Sequence, residues 1–348
     1  MYFAEPWAES LRNWSLGCIV VGLVALPLSS EIVERNIEMF LLAAGCASVS
    51  IATGWSPLLV RDSLMQPMGL AAIVLGVSLG FRLVQHEIGR GVLRLSQVLP
   101  SRILGFVLVV TLGLLSSIIT AAIASLVLVE VVKALHLNRS QQLRLTVISC
   151  FSIGLGAALT PVGEPLSAIV TLKMQEGFWF IARLVWPYVG LCILGLGILA
   201  AITNPVGTVR TPDVHGVRQT VWDVFFRAVR FYLFMVALGL LGTGLSPLVD
   251  RYIVSLSART LFWANSVSAI LDNATLAAAE MGPSMSHSQV SAALLGLLIS
   301  GGMLVPGNVP NIIAAHRLGI SGVEWAWYAI PVGFALMVVV FSAWMAAP

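Results

Sequence analysis

The sequence predicts an all-α polytopic membrane protein built as two inverted repeats, with re-entrant helical hairpins and broken transmembrane helices. Three observations carry this expectation. Of the 348 residues, 58% are hydrophobic and only 10% charged, a composition typical of integral membrane proteins and unlike that of soluble domains. Apolar runs of about 20 residues recur along the length, each able to cross a hydrocarbon core of roughly 30 Å. Two further apolar stretches suit neither one crossing nor two, and each precedes a span interrupted by prolines and glycine.

Spans are expected near residues 14–30, 37–55, 67–84, 143–160, 178–202, 229–249, 288–305 and 323–346. The opening stretch, MYFAEPWAESLRNW, has neither a basic leader nor a small-residue cleavage site, so the first span is expected to be retained. Residues 101–135 would make a helix about 50 Å long at 1.5 Å per residue, too long for one crossing. Folding it in half leaves limbs too short for two, and residues 253–282 pose the same problem. Both fit hairpins that enter and leave on one side, with a polar tip at membrane depth.

The tips align: SSIITAAI (116–123) lies over SAILDNAT (268–275), placing Thr120 opposite Asp272 and Ala121 opposite Asn273. The interrupted spans LTPVGEP (159–165) and LVPGNVP (304–310) align with one residue gapped, which brings Asn308 onto Glu164. Residues 1–60 therefore hold two peripheral N-terminal helices. Residues 61–202 form the first repeat, 203–228 a cytoplasmic linker, and 229–348 the second repeat. Each repeat reads span, hairpin, broken span, span. With non-crossing hairpins each repeat crosses three times, and an odd number inverts the second copy, as in secondary transporters. On this topology thirteen Lys and Arg fall on one side and five on the other, with Arg183 inside a span. That bias orients the chain in an inner or plasma membrane with both termini outside.

In ALTPVGEPLSAIV (157–169) a carboxylate, Glu164, stands in the middle of an apolar span. Pro161 ends one half-helix, Gly163 lets the backbone turn, and Pro165 suits the first position of the next half. Such a break frees carbonyl and N–H groups, which a bilayer tolerates only around a wet or ion-filled cavity. Thr160 belongs to the same break. A charge at that depth costs roughly 2.5–3.5 kcal/mol on insertion scales. The plainer alternative is a loop carboxylate at the membrane surface, against which the central position of the break argues.

Asp272 and Asn273 could simply cap the second hairpin limb. Capping needs one oxygen, however, and Asn273 or Thr275 could supply it. The surplus carboxylate suits a small hard cation, which prefers oxygen ligands. Asn308 and Asn311 are their neutral companions in the second break, and Ser116, Ser117 and Thr120 offer hydroxyls at the first tip. Singly, each hydroxyl is better explained by bonding back to its own helix. Glu130, three residues before Lys133, reads as a surface pair, and Glu280 is expected to approach the outer interface. The four cysteines and five histidines have no metal-ligand spacing, and no phosphate loop, nucleophile elbow or zinc-protease motif is present.

ALTPVGEP together with SAILDNATLAAA resembles paired motifs of the ion transporter superfamily. That superfamily includes NhaD-type sodium/proton antiporters, ArsB-like arsenite carriers and sodium-coupled dicarboxylate carriers. The resemblance spans roughly residues 65–348 and is nearest to the branch of predicted cation transporters. It implies Glu164 and Asp272 as the groups that take Na⁺ or a proton, with Gly163 and Asn273 in the matching motifs. The chain departs in having Thr120 and Ala121 where the family often has an acid and an Asn, and in reading VPGNVPN at the second break. The expected function is a cation (Na⁺)/proton antiporter working by alternating access. Its partners are then the lipid bilayer, a small inorganic ion and, since transporters of this shape are often dimers, a second copy. No nucleic acid, cofactor or enzymatic activity is expected; Na⁺ and H⁺ are cargo. A sodium-coupled anion carrier and a non-transporting scaffold or assembly factor are the alternatives. Two acids in the site weigh against the first, and the cost of retaining buried carboxylates weighs against the second.

Overall fold

The computed structural model describes residues 6–30, 33, 36–52, 54–98, 101–135, 137–203, 221–269 and 273–346. These form fourteen α-helices in chain order: α1 (Pro6–Ser29), α2 (Ile37–Ala52), α3 (Pro57–Val98), α4 (Ser101–Ile119), α5 (Ala121–Ala134), α6 (Arg139–Ala157) and α7 (Pro165–Lys173). There follow α8 (Phe180–Thr203), α9 (Val221–Leu248), α10 (Ala258–Ala264), α11 (Asn273–Glu280), α12 (His287–Ser300), α13 (Val309–Leu318) and α14 (Gly322–Ala346). No strand occurs among the described residues.

Among the described residues, four segments are long and apolar enough to cross a membrane: Pro57–Gly80, Phe180–Thr203, Val224–Ile253 and Gly322–Ala346. They lie in α3, α8, α9 and α14, the helices that bracket each half of the chain. Between them the helices are shorter and interrupted. The protein is an all-α membrane protein whose interior holds the broken elements.

Several boundaries differ from the expected ones. The span expected at 67–84 sits inside the 42-residue α3, which continues through Pro67. The linker expected at 203–228 yields to α9 from Val221; there Trp222, Phe225 and Phe226 share ring contacts across one helical turn. Residues 204–220 lie outside the described residues. The pair of limbs expected over 253–282 is shorter on its first side. A π-helical turn, Val249–Ile253, extends α9, and α10 has only seven residues before a 3-10 turn, Asn265–Ala269.

Small residues set the helix spacing, as is usual where no water separates helices. A Cβ on Gly45 of α2 would lie 2.8 Å from the Ala237 carbonyl of α9. Gly244 of α9 is packed as tightly on Ser48 of α2. Gly113 of α4 abuts Ser152 of α6, and Gly197 of α8 abuts Phe106 and Val110 of α4.

Several contacts recur in the two halves. Helix α4 packs on α6 as α10 packs on α12. The shorter limbs cross over: α5 packs on α13, and α11 packs on α7. Helices α6 and α12 both open with capping boxes, Asn138 with Gln141 and Ser286 with Gln289. The first residue of each reaches into the other half. Arg139 forks onto Glu324 (Nη2–Oε2 2.7 Å) and donates to the Leu318 and Gly319 carbonyls at 3.2 and 2.7 Å. His287 stands 3.6 Å from Glu176 in the α7–α8 connection. Arg139 thus joins α6 to the α13–α14 corner. Arg139→Gln is expected to lower the melting temperature in detergent more than Glu324→Gln, because Arg139 also holds two carbonyls that the Glu324 variant leaves engaged. Equal shifts in both variants would show that the carbonyl bonds contribute nothing.

Candidate functional site

The span containing Glu164 is broken. Helix α6 ends at Ala157 and α7 begins at Pro165, with turns between. Pro161 cannot donate to the ladder, and Pro165 takes the first helical position of α7. Gly163 has no positive φ, so its expected role in turning the backbone is corrected. The requirement is space, because a Cβ there would overlap the Ala157 carbonyl. Inside the break, Gly163 N–H donates to the Thr160 carbonyl at 3.1 Å, and Ser167 Oγ donates to the Ala158 carbonyl at 2.5 Å.

The α4–α5 junction docks on this break. Ala121 N–H donates to the Gly163 carbonyl at 2.9 Å, and Thr160 Oγ1 donates to the Ser117 carbonyl. Thr120 sits at the junction with φ 76° and ψ 147°, a conformation costly for a β-branched residue. Its hydroxyl accepts a long bond from Ile123 N–H, 3.4 Å, capping α5. Strain at a docked junction is where a functional constraint is expected, and Thr120 is one of the residues the sequence singled out.

The second break runs from Gly301 to Asn308 and contains a 3-10 turn, Val305–Gly307. Asn308 and Glu164 hold equivalent places. Both are N-cap residues with φ −154°, ψ is 147° and 157° respectively, proline follows at the first or second helical position, and neither side chain caps its own helix. Asn308 packs against Gly154 of α6, and the Pro310 carbonyl accepts from Cys150 Sγ at 3.6 Å. Asn273, the first residue of α11, packs against Gly301, and a Cβ on Gly307 would lie 2.9 Å from the Ala269 carbonyl. The second junction therefore approaches the second break, and that break touches the first broken helix.

The candidate residues separate accordingly. Glu164 (7% exposed), Thr160, Asn273 and Asn308 are buried at the breaks. Asn311 is fully buried, with its Nδ2 donating to the Gly301 and Leu304 carbonyls, both at 2.9 Å. Its amide nitrogen thus fills the place that an ion or water would take at those carbonyls; only Oδ1 remains for a ligand. Ser116 Oγ bonds back to the Gly113 carbonyl and across to the Ile153 carbonyl of α6, at 2.6 and 2.9 Å. Ser117 Oγ bonds back to the Leu114 carbonyl. Ser116 thus joins α4 to α6, while Ser117 bonds only within α4. Asp272 lies outside the described residues. Thr275 is in the first turn of α11, and its side chain also lies outside them.

The ends of α6 and α12 present carbonyl oxygens here, and the starts of α5, α7, α11 and α13 present N–H groups. A buried carboxylate and three buried amides complete the set. Such a lining can hold a small ion stripped of water, or pass a proton, without rearranging its backbone.

Sequence reasoning missed Lys173, counting it only as an outside charge. Its ammonium donates to the Ala278 carbonyl and to the Met281 carbonyl, the latter at 3.0 Å, where α11 ends. A cation at a helix C-terminus is favourable, and here it ties the end of α7 to the end of α11. A lysine in the last turn of a half-helix was the available signal. Glu130 and Lys133 form the half-exposed pair expected, 3.9 Å apart.

No curated protein matches the chain. Residues 14–345, a stretch containing both breaks and both junctions, match a family described as a protein of unknown function (DUF1646), and the chain belongs to that family.

Proposed function

We propose that the protein is a secondary active transporter, a cation (Na⁺)/proton antiporter that works by alternating access at Glu164 and Asp272. The observation that carries this reading is the buried Glu164 at the start of a half-helix, in a break onto which a second helix junction docks. An ionised Glu164 attracts a cation, a protonated one releases it, and the same group cannot hold both. Exchange follows if the site faces one side at a time. The matching contacts of the two halves support the two-repeat, inverted architecture that such a motion uses. On this reading α4–α5 and α10–α11 are the re-entrant hairpins and residues 61–202 and 229–348 the repeats.

The convergence of four helix starts on the breaks favours a second reading, a sodium-coupled anion carrier. Cation-dependent proton flux with no added anion separates the two. A scaffold would show neither flux.

Orientation follows from the charge distribution. In a background without the native cysteines, cysteines introduced near Arg94, Arg139 and Arg218 are expected to resist an impermeant thiol reagent added outside intact cells. One near Arg259 is expected to react. Opposite sidedness of positions 94 and 139 would mean that α4–α5 crosses the membrane, and the inverted-repeat reading fails.

A further inference from the structure

Glu280, set aside in the sequence as a residue near the interface, has its Oε2 buried without a hydrogen-bond partner. No ion pair reaches it among the described residues. The side chain of Asn265, which closes α10, lies within reach of its carboxylate. Asn265 is 2% exposed and held firmly. Its backbone carbonyl accepts from Ser300 Oγ at 2.8 Å, its Cβ lies against Gly296 of α12, and its Nδ2 donates to the Leu261 carbonyl at 3.0 Å. The last bond fixes which end of the amide is nitrogen. Asn265 Oδ1 is likewise buried without a partner.

Two neighbouring side chains thus each keep one unsatisfied oxygen. Leaving buried acceptors unmade is costly. One proton on Glu280 removes both defects at once: Oε2–H donates to Asn265 Oδ1 while the amide N–H donates to the other carboxyl oxygen. We propose that Glu280 and Asn265 form a proton-binding site, a carboxylic acid–amide pair closed by two hydrogen bonds between α10 and α11. Its ligand is a single exchangeable proton. Loss of that proton leaves a carboxylate facing an amide oxygen, so the two helices are held together most tightly in the protonated state.

The helices packed against α11 are α1, α7, α9 and α12, with the π-turn after α9. Their charged groups near this end are Arg12 and Glu9 of α1, Lys173 of α7, Asp250 and Arg251 of the π-turn, and His287 of α12. Glu9 pairs with Arg251, Asp250 bonds Ser284, Lys173 is taken by carbonyls, and His287 faces Glu176. Asp223, Arg227 and Arg230 stand at the opposite end of α9.

The site stands without the antiporter reading; only its use as a second proton station on an outer path rests on it. The test is infrared spectroscopy of the purified full chain in lipid at neutral pH. The difference between wild type and Glu280→Gln is expected to show loss of one protonated-carboxyl carbonyl band. Glu280→Gln keeps the two-bond geometry as an amide–amide pair, so the fold is retained. Asn265→Ala is expected to keep the band but shift its frequency, because both partners of the acid are gone. Loss of a carboxylate band instead of a carbonyl band in Glu280→Gln would overturn the proposal. So would an unshifted band in Asn265→Ala. Absence of transport by the wild type would leave these spectra unaffected.

Discussion

Glu164→Gln is expected to abolish proton-coupled exchange while leaving the protein folded. The substitution preserves the size and the hydrogen-bonding oxygen of the side chain at the start of α7, a position whose backbone is already extended and followed by Pro165. It removes the charge that attracts a cation and the proton exchanged for it. On the antiporter reading the acid limb of the pH profile should vanish with the flux, because Glu164 is the group that exchanges the proton. Asp272→Asn is the companion experiment. Asn caps a helix about as well as Asp, so a capping residue would tolerate the change. A cation ligand would not: losing about 1.4 kcal/mol of binding raises the required cation concentration tenfold or more. Wild-type cation dependence in Asp272→Asn would reduce Asp272 to a cap.

Asn311→Leu is expected to have the largest effect on stability. The side chain is fully buried, and its Nδ2 holds the Gly301 and Leu304 carbonyls freed by the second break. Leucine fills similar space but donates nothing, which orphans the buried Gly301 carbonyl at about 1–3 kcal/mol and leaves the Leu304 carbonyl only its long bond from Gly307 N–H, 3.3 Å. Asn311→Asp should be no better, since it turns a donor into a third acceptor and adds a buried charge. Thermal unfolding in detergent, read by loss of monodisperse protein, is the measurement. Unchanged stability in Asn311→Leu would mean that water satisfies those carbonyls and that the amide is free to bind a ligand.

The breaks themselves were legible because their causes are local. Proline removes a donor at Pro161, Pro165 and Pro310, and these residues mark both interruptions in the linear sequence. The N-cap equivalence of Glu164 and Asn308 was visible once the two segments were aligned. What gave each residue its partner was not local. Ser116 reads as a site hydroxyl until α6 supplies the Ile153 carbonyl. Asn311 reads as a ligand until the chain ten residues earlier supplies Gly301. Gly163 reads as a turn glycine until the Ala157 carbonyl is seen to fill the space a side chain would need. Lys173 finds its partners across the crossover of α7 on α11, a contact made more than 100 residues apart in the sequence, and Glu280 finds Asn265 only when the chain folds back between α10 and α11. Helix ends were misjudged for a related reason: Pro67 lies in an otherwise continuous pattern, and whether a helix bends or stops at proline depends on its neighbours.

On the antiporter reading Glu164, with Asp272 as a cation ligand, couples a cation to a proton. The most direct test of that coupling is purified protein in liposomes with an entrapped pH dye, to which Na⁺ is added with an impermeant counter-anion. Wild type should alkalinise or acidify the lumen according to the direction of the Na⁺ gradient, and Glu164→Gln should show no response in either direction. Gradient-dependent proton flux of wild-type size in Glu164→Gln would contradict the account.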